Sequence, residues 1–126
     1  MSTYSSGVII RRFDIAREEI LKAYISGFAL INQVFLRRFQ VPRIYVSGIK
    51  YKDENPDSDN PLMNCLEVID RRGGDCKSLT AWRLAELWED GIDARCHVID
   101  YGDGLCHVLI KHPNGFVEDI SKNLGM

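Results

Sequence analysis

Three residues in the second half of the chain are of types that move acyl groups: Cys76, His107 and Asp119. Cys76 stands in RRGGDCKSLTAWRLAELWEDG, residues 71–91, where a glycine pair gives way to a helical pattern. A helix N-terminus offers unpaired amides and the positive end of the dipole. Both favour a thiolate, the reactive form of cysteine. Lys77 adds to that field and Asp75 opposes it; Asp75 reads chiefly as the helix N-cap. A cysteine nucleophile needs a base, and the base needs an orienting group. His107 follows Cys76 by 31 residues, in a strand-like segment, and Asp119 follows His107 by 12. Folding the last hairpin about HPNG, with its centre near residue 113, sets positions 107 and 119 opposite each other on one face, where an imidazole and a carboxylate can meet. On this reading Asp119 accepts the Nδ1–H of His107, and Nε2 turns to Cys76.

Taken singly, a cysteine at a helix start or a histidine on a strand is more often structural than catalytic. The order of cysteine at a helix start, histidine on a strand and aspartate on the next strand is what favours chemistry. His97, in RCHV, is the rival base. Glu118 is the rival acid, although one step along a strand turns its side chain to the other face. His112, beside the turn, reads as solvent-exposed. The Cys76 amide would supply one donor to an oxyanion. Asn64 is the candidate for a second donor, with a helix-cap role as its stronger competing reading. RCHV and LCHV look like paired metal ligands, but adjacent strand residues face opposite ways and cannot share an ion. No metal and no cofactor is expected. Cys65, Cys96 and Cys106 read as small buried thiols.

Helices and strands must hold these groups in place. Residues 4–12 read as a short strand. Residues 14–39 carry a helical stripe (Ala16, Ile20, Ala23, Tyr24, Gly27, Phe28, Ile31, Val34, Phe35), with Asp14 as N-cap and Val41–Pro42 as the stop. RIYVSGIKY reads as extended. KDENPDSDNP, residues 52–61, reads as an exposed loop bordering the cysteine's cleft. A short helix is expected over 64–71. The helix after Cys76 has Ala81, Leu84, Ala85 and Trp88 on its apolar face and Gly91 just past its end. The period then changes to two. ARCHVIDY, LCHVLIKH and GFVEDI read as three strands joined by GDG and PNG. The fold class is α+β, with helices first and an antiparallel sheet after them, in a single domain over residues 1–126.

A net charge of −2 and scattered arginine pairs give no electrostatic reason to expect a nucleic-acid partner. No segment is apolar enough to suggest a membrane partner, and the N-terminal residues lack a signal-peptide pattern. A cytoplasmic setting with reduced cysteines is the expectation.

RRGGDCKSLTAWRLAELWEDGIDAR, the following CHV and NGFVEDISKNLGM together resemble the transglutaminase-like superfamily of papain-like cysteine enzymes, in its small single-domain bacterial and phage form. The resemblance runs from about Val46 to the C-terminus. It implies a nucleophile, base and acid at Cys76, His107 and Asp119, in agreement with the helix and hairpin argument. It also implies a papain-like core, with the cysteine's helix packed on an antiparallel sheet. The sequence departs from such relatives at Lys77, often acidic in them; at Ile120, often proline; and at Leu62–Met63, often Trp–Gln. The activity expected is acyl transfer through a thioester, on a peptide or protein substrate. Hydrolysis, as a peptidase or deamidase, is favoured over transamidation, because one small domain has little material to shield a thioester from water. The competing expectation is a non-catalytic structural or interaction module, such as a phage assembly part.

Overall fold

The computed structural model describes residues 6–52, 62–102 and 105–126. The element order is α1 (Ser6–Arg38), a 3₁₀ turn (Ile44–Val46), β1 (Lys50–Tyr51), α2 (Cys65–Arg71), β2 (Gly73–Gly74), α3 (Cys76–Glu89), β3 (Arg95–Gly102), β4 (Leu105–Lys111), β5 (Val117–Glu118) and α4 (Ile120–Asn123). The α+β class expected from the sequence is what the chain adopts. Apart from Lys52, the loop expected over 52–61 lies outside the described residues.

The N-terminal expectation is corrected. Residues 6–12 are helical, and Asp14 lies inside α1 instead of capping it. No proline interrupts residues 6–38, and a short apolar run such as Val8–Ile10 suits a helix as well as a strand. The buried stripe is also rotated from the expected one. Ile25, Ala29 and Asn32 face the core at 0% exposure, while Tyr24, Ile31 and Val34 face outward. Asn32 marks the reason: its side-chain oxygen accepts the Cys65 amide at 2.8 Å and joins α1 to the start of α2. A buried hydrogen bond of this kind offsets the desolvation of an amide.

RIYVSGIKY is extended only in part. Ile44–Val46 form the 3₁₀ turn, and Lys50–Tyr51 then pair in parallel with Gly73–Gly74. This pairing explains the first glycine. A Cβ on Gly73 would stand 2.9 Å from the Lys50 carbonyl oxygen, so the backbones could not approach as they do. The short strand β2 therefore delivers the chain to α3 along a fixed path.

Helix α3 begins and ends where the sequence indicates. Asp75 accepts from the amides of Lys77 and Ser78, at 3.0 and 3.1 Å, and Gly91 takes φ 81° just past the end. Leu79, Ala81, Trp82, Leu84 and Ala85 are fully buried, and Trp88 packs partly against the same core. They meet α1 on one side and one face of the sheet on the other, where Cys96, Val98, Val108 and Ile110 point inward.

The three-strand sheet has the order β3–β4–β5 and is antiparallel throughout. GFVEDI yields only a two-residue strand, because Asp119 leaves the ladder to cap α4 through the Lys122 amide. The last hairpin pairs Ile110 with Glu118 and Lys111 with Val117. Its centre thus falls at residue 114, one further than expected. The parity of faces is unaffected, since the opposite partner moves by two residues.

Candidate active site

Cys76 is the first residue of α3 and is half-buried. Its sulfur rests against the edge of β4, where the Val108 amide is directed at it. That edge is open there because β5 pairs only with Ile110 and Lys111. A strand amide lies in the plane of the sheet, so Cys76 approaches between the two faces of β4. Cys106 and Val108 leave β4 on the core face, and His107 leaves on the other.

The continued register sets Asp119 across from Leu109, diagonal to His107 on the same face. The His107 ring spans the diagonal, with Nε2 2.9 Å from Oδ2 of Asp119. The remaining carboxylate oxygen of Asp119 accepts the Lys122 amide at 3.1 Å. The structure thus joins His107 to Asp119, through Nε2 and not through Nδ1. No partner takes Nδ1 among the described residues. The ring nitrogen differs from expectation because the carboxylate lies diagonally across, at the far end of the imidazole.

The charge state of Cys76 also differs from expectation. Burial pushes the thiol up to about 11, and the Asp75 carboxylate pushes the same way. The Lys77 ammonium and the Val108 amide oppose them without prevailing. Lys77 is drawn to Asp75, with Nζ 2.7 Å from its carboxylate, which weakens its field at the sulfur. Cys76 therefore rests as a thiol, and any thiolate must form with the help of a base. Burial likewise raises Cys65 to about 11 and Cys96 to about 12.

The other residues singled out by sequence fall elsewhere. Asn64 caps α2 in a reciprocal arrangement: its side chain accepts the Glu67 amide and Glu67 accepts the Asn64 amide, both at 3.0 Å. The helix-cap role is the one seen. His97 lies on β3 opposite Leu109, and burial and Lys111 lower its pKa. His112 is not solvent-exposed; its Nε2 lies 2.7 Å from Glu118, and its side chain is 14% exposed. Glu118 turns away from His107, as strand alternation requires. No group of three or more His, Cys, Asp or Glu is placed to hold a metal ion among the described residues.

Sequence reasoning missed the network around Glu118. This buried carboxylate accepts from the Tyr45 hydroxyl, from Arg83 Nε at 2.8 Å and from His112. Burial alone would raise its pKa, but these bonds outweigh it and hold the group ionised. Arg83 also reaches Glu86 at 3.0 Å, and Glu86 accepts the Ile44 amide at 2.7 Å. Arg83 belongs to the helix that begins with Cys76, and Glu118 precedes Asp119. The pair therefore fixes the residue before Asp119 relative to the helix that begins with Cys76. The one available signal was the alternation that turns Glu118 inward; the burial of Arg83 and Glu86 on a polar helix face has no local signature.

No family model, curated protein or solved structure matches this chain.

Proposed function

We propose that this protein is a thiol acyl-transfer enzyme with a papain-like core, acting on an amide bond of a peptide or protein through Cys76, His107 and Asp119. The observation that carries the reading is the His107–Asp119 pair, at 2.9 Å, on the strand whose next amide contacts the Cys76 sulfur. A lone buried thiol has no way to ionise near neutral pH; the oriented imidazole of His107, one residue before the Val108 amide, is the base this reading assigns to it.

In the proposed reaction His107 Nδ1 takes the Sγ proton as sulfur attacks the carbonyl carbon. Asp119 holds the proton on Nε2 and stabilises the imidazolium. The Val108 amide stabilises negative charge on sulfur as it forms. The first amides of a helix have no intrahelical partner, so the Cys76 N–H is available to the oxyanion. The imidazolium then protonates the leaving nitrogen, the C–N bond breaks and a thioester remains. Water, deprotonated by His107, releases the acid and restores the thiol.

The test is capture of the acyl-enzyme. An activated acyl ester should add one acyl group to the protein, mapped to Cys76 and removed by hydroxylamine. Cys76→Ala should remain unmodified. Acylation spread evenly over the cysteines, or none at all with a folded protein, would favour the non-catalytic interaction module.

A further inference from the structure

A cleft of about 360 Å³ is lined by Leu21, Tyr24, Phe28, Leu62 and Lys77, the residue that follows Cys76. Leu21, Tyr24 and Phe28 are spaced three and four residues apart and form one face of α1. Leu62 forms the opposite wall. Lys77 follows the proposed nucleophile directly in the first turn of α3, which ties the cleft to the helix end that carries Cys76. Among the described lining residues its only ionic group is the Lys77 ammonium, which is held by Asp75 at 2.7 Å. The four remaining lining side chains present only carbon, apart from one phenol oxygen. Tyr24 is 64% exposed although it lines an apolar surface.

We infer that this cleft is a specificity subsite that receives a large apolar side chain, aliphatic or aromatic, adjoining the amide that Cys76 attacks. The inference rests on the acyl-transfer reading and extends it to a substrate class. The volume suits one leucine- or phenylalanine-sized group with room to enter. An acidic or amide side chain would lose its hydration there, with only the Lys77 ammonium, already drawn to Asp75, to meet it among the described lining residues. Transfer of an apolar group into such a site distinguishes substrates by roughly tenfold or more.

The test uses N-acetyl aminoacyl chloromethyl ketones, in which the thiolate displaces chloride and forms a thioether. Leucyl, phenylalanyl, glycyl and glutamyl versions are compared by their rates of Cys76 modification. The expected result is a leucyl or phenylalanyl rate roughly tenfold or more above the glycyl and glutamyl rates. Tyr24→Arg should shrink the leucyl-to-glutamyl ratio by about as much, whereas a merely damaged protein would lose both rates together. Cys76 labelling without preference among the four, or a ratio unmoved by Tyr24→Arg, would overturn the subsite. Failure of every reagent to select Cys76 over Cys106 would instead overturn the acyl-transfer reading beneath it.

Discussion

His107 Nε2 lies 2.9 Å from Oδ2 of Asp119, while Oδ1 of the same carboxylate accepts the Lys122 amide. The second bond fixes which oxygen faces the imidazole, and this determines the effect of Asp119→Asn. The asparagine oxygen would stay on Lys122 and its NH₂ would turn to Nε2. Nε2 would then have to accept, the ring proton would move to Nδ1, and Nδ1 could no longer take a proton from Cys76. Neutral-pH reactivity of Cys76 should fall at least tenfold, with the roughly 10⁴-fold cost of the matching change in a serine triad as an upper scale. The helix cap survives in asparagine, so thermal stability should change little. Equal reactivity in the variant would show that the pair does not control the proton.

The Glu118 network predicts a strong stability effect away from the sulfur. Arg83→Met removes the cation that both Glu118 and Glu86 face, and their side chains are only 5% and 1% exposed. Leaving such charges unpaired costs about 3–5 kcal/mol, which urea unfolding would register. Adding Glu118→Gln to Arg83→Met should restore part of the loss. Strictly additive losses would mean that the two side chains do not interact.

The glycine pair before Asp75 divides by role. Gly73→Ala must push β1 away from β2, since its Cβ would meet the Lys50 oxygen at 2.9 Å. At Gly74 the nearest contacts are side-chain atoms at 3.4 Å. Gly73→Ala should therefore lower stability by about 1–3 kcal/mol, and Gly74→Ala by clearly less. Equal melting temperatures for the two variants would contradict the parallel pairing of Lys50–Tyr51 with these glycines.

Alkaline pH should weaken the fold. Cysteine ordinarily titrates at 9.0, while burial raises Cys65 to about 11 and Cys96 to about 12. Above pH 9 the unfolded chain releases protons that the folded one retains, so stability falls as pH rises toward 11 to 12. The melting temperature should decline between pH 8.5 and 10.5, taken here as about the usable window. Cys65→Ala should flatten that decline even though its starting stability is lower. An unchanged slope would argue that this thiol is accessible to solvent in the folded protein.

The sequence carried the parts of this account that depend on local chemistry. Asp75, Cys76 and Gly91 mark a helix whose ends need no tertiary information. The period-two segments foretell β3 and β4. Alternation alone separates Asp119 from Glu118 as the partner of His107, and that parity survives a wrong turn centre. What was hidden depends on long-range packing. The face of α1 that is buried was decided by Asn32, a polar residue that an apolar pattern discards. The Nε2 contact depends on a diagonal approach that a two-strand drawing cannot resolve. The raised thiol of Cys76 comes from burial against the edge of β4, which outweighs the helix terminus read from sequence.

The central claim is that His107 deprotonates Cys76. Iodoacetamide labelling of Cys76, followed by peptide mapping across pH 6 to 11 (roughly from below an ordinary histidine to above an ordinary cysteine), tests it most directly. The claim predicts labelling near neutral pH in the wild-type protein, and a fall of roughly tenfold or more in His107→Ala but not in His97→Ala. In His107→Ala the rate should rise only as pH approaches about 11, the value burial imposes on the isolated thiol. Coincident profiles for the wild-type protein and His107→Ala, both rising only toward that pH, would contradict it.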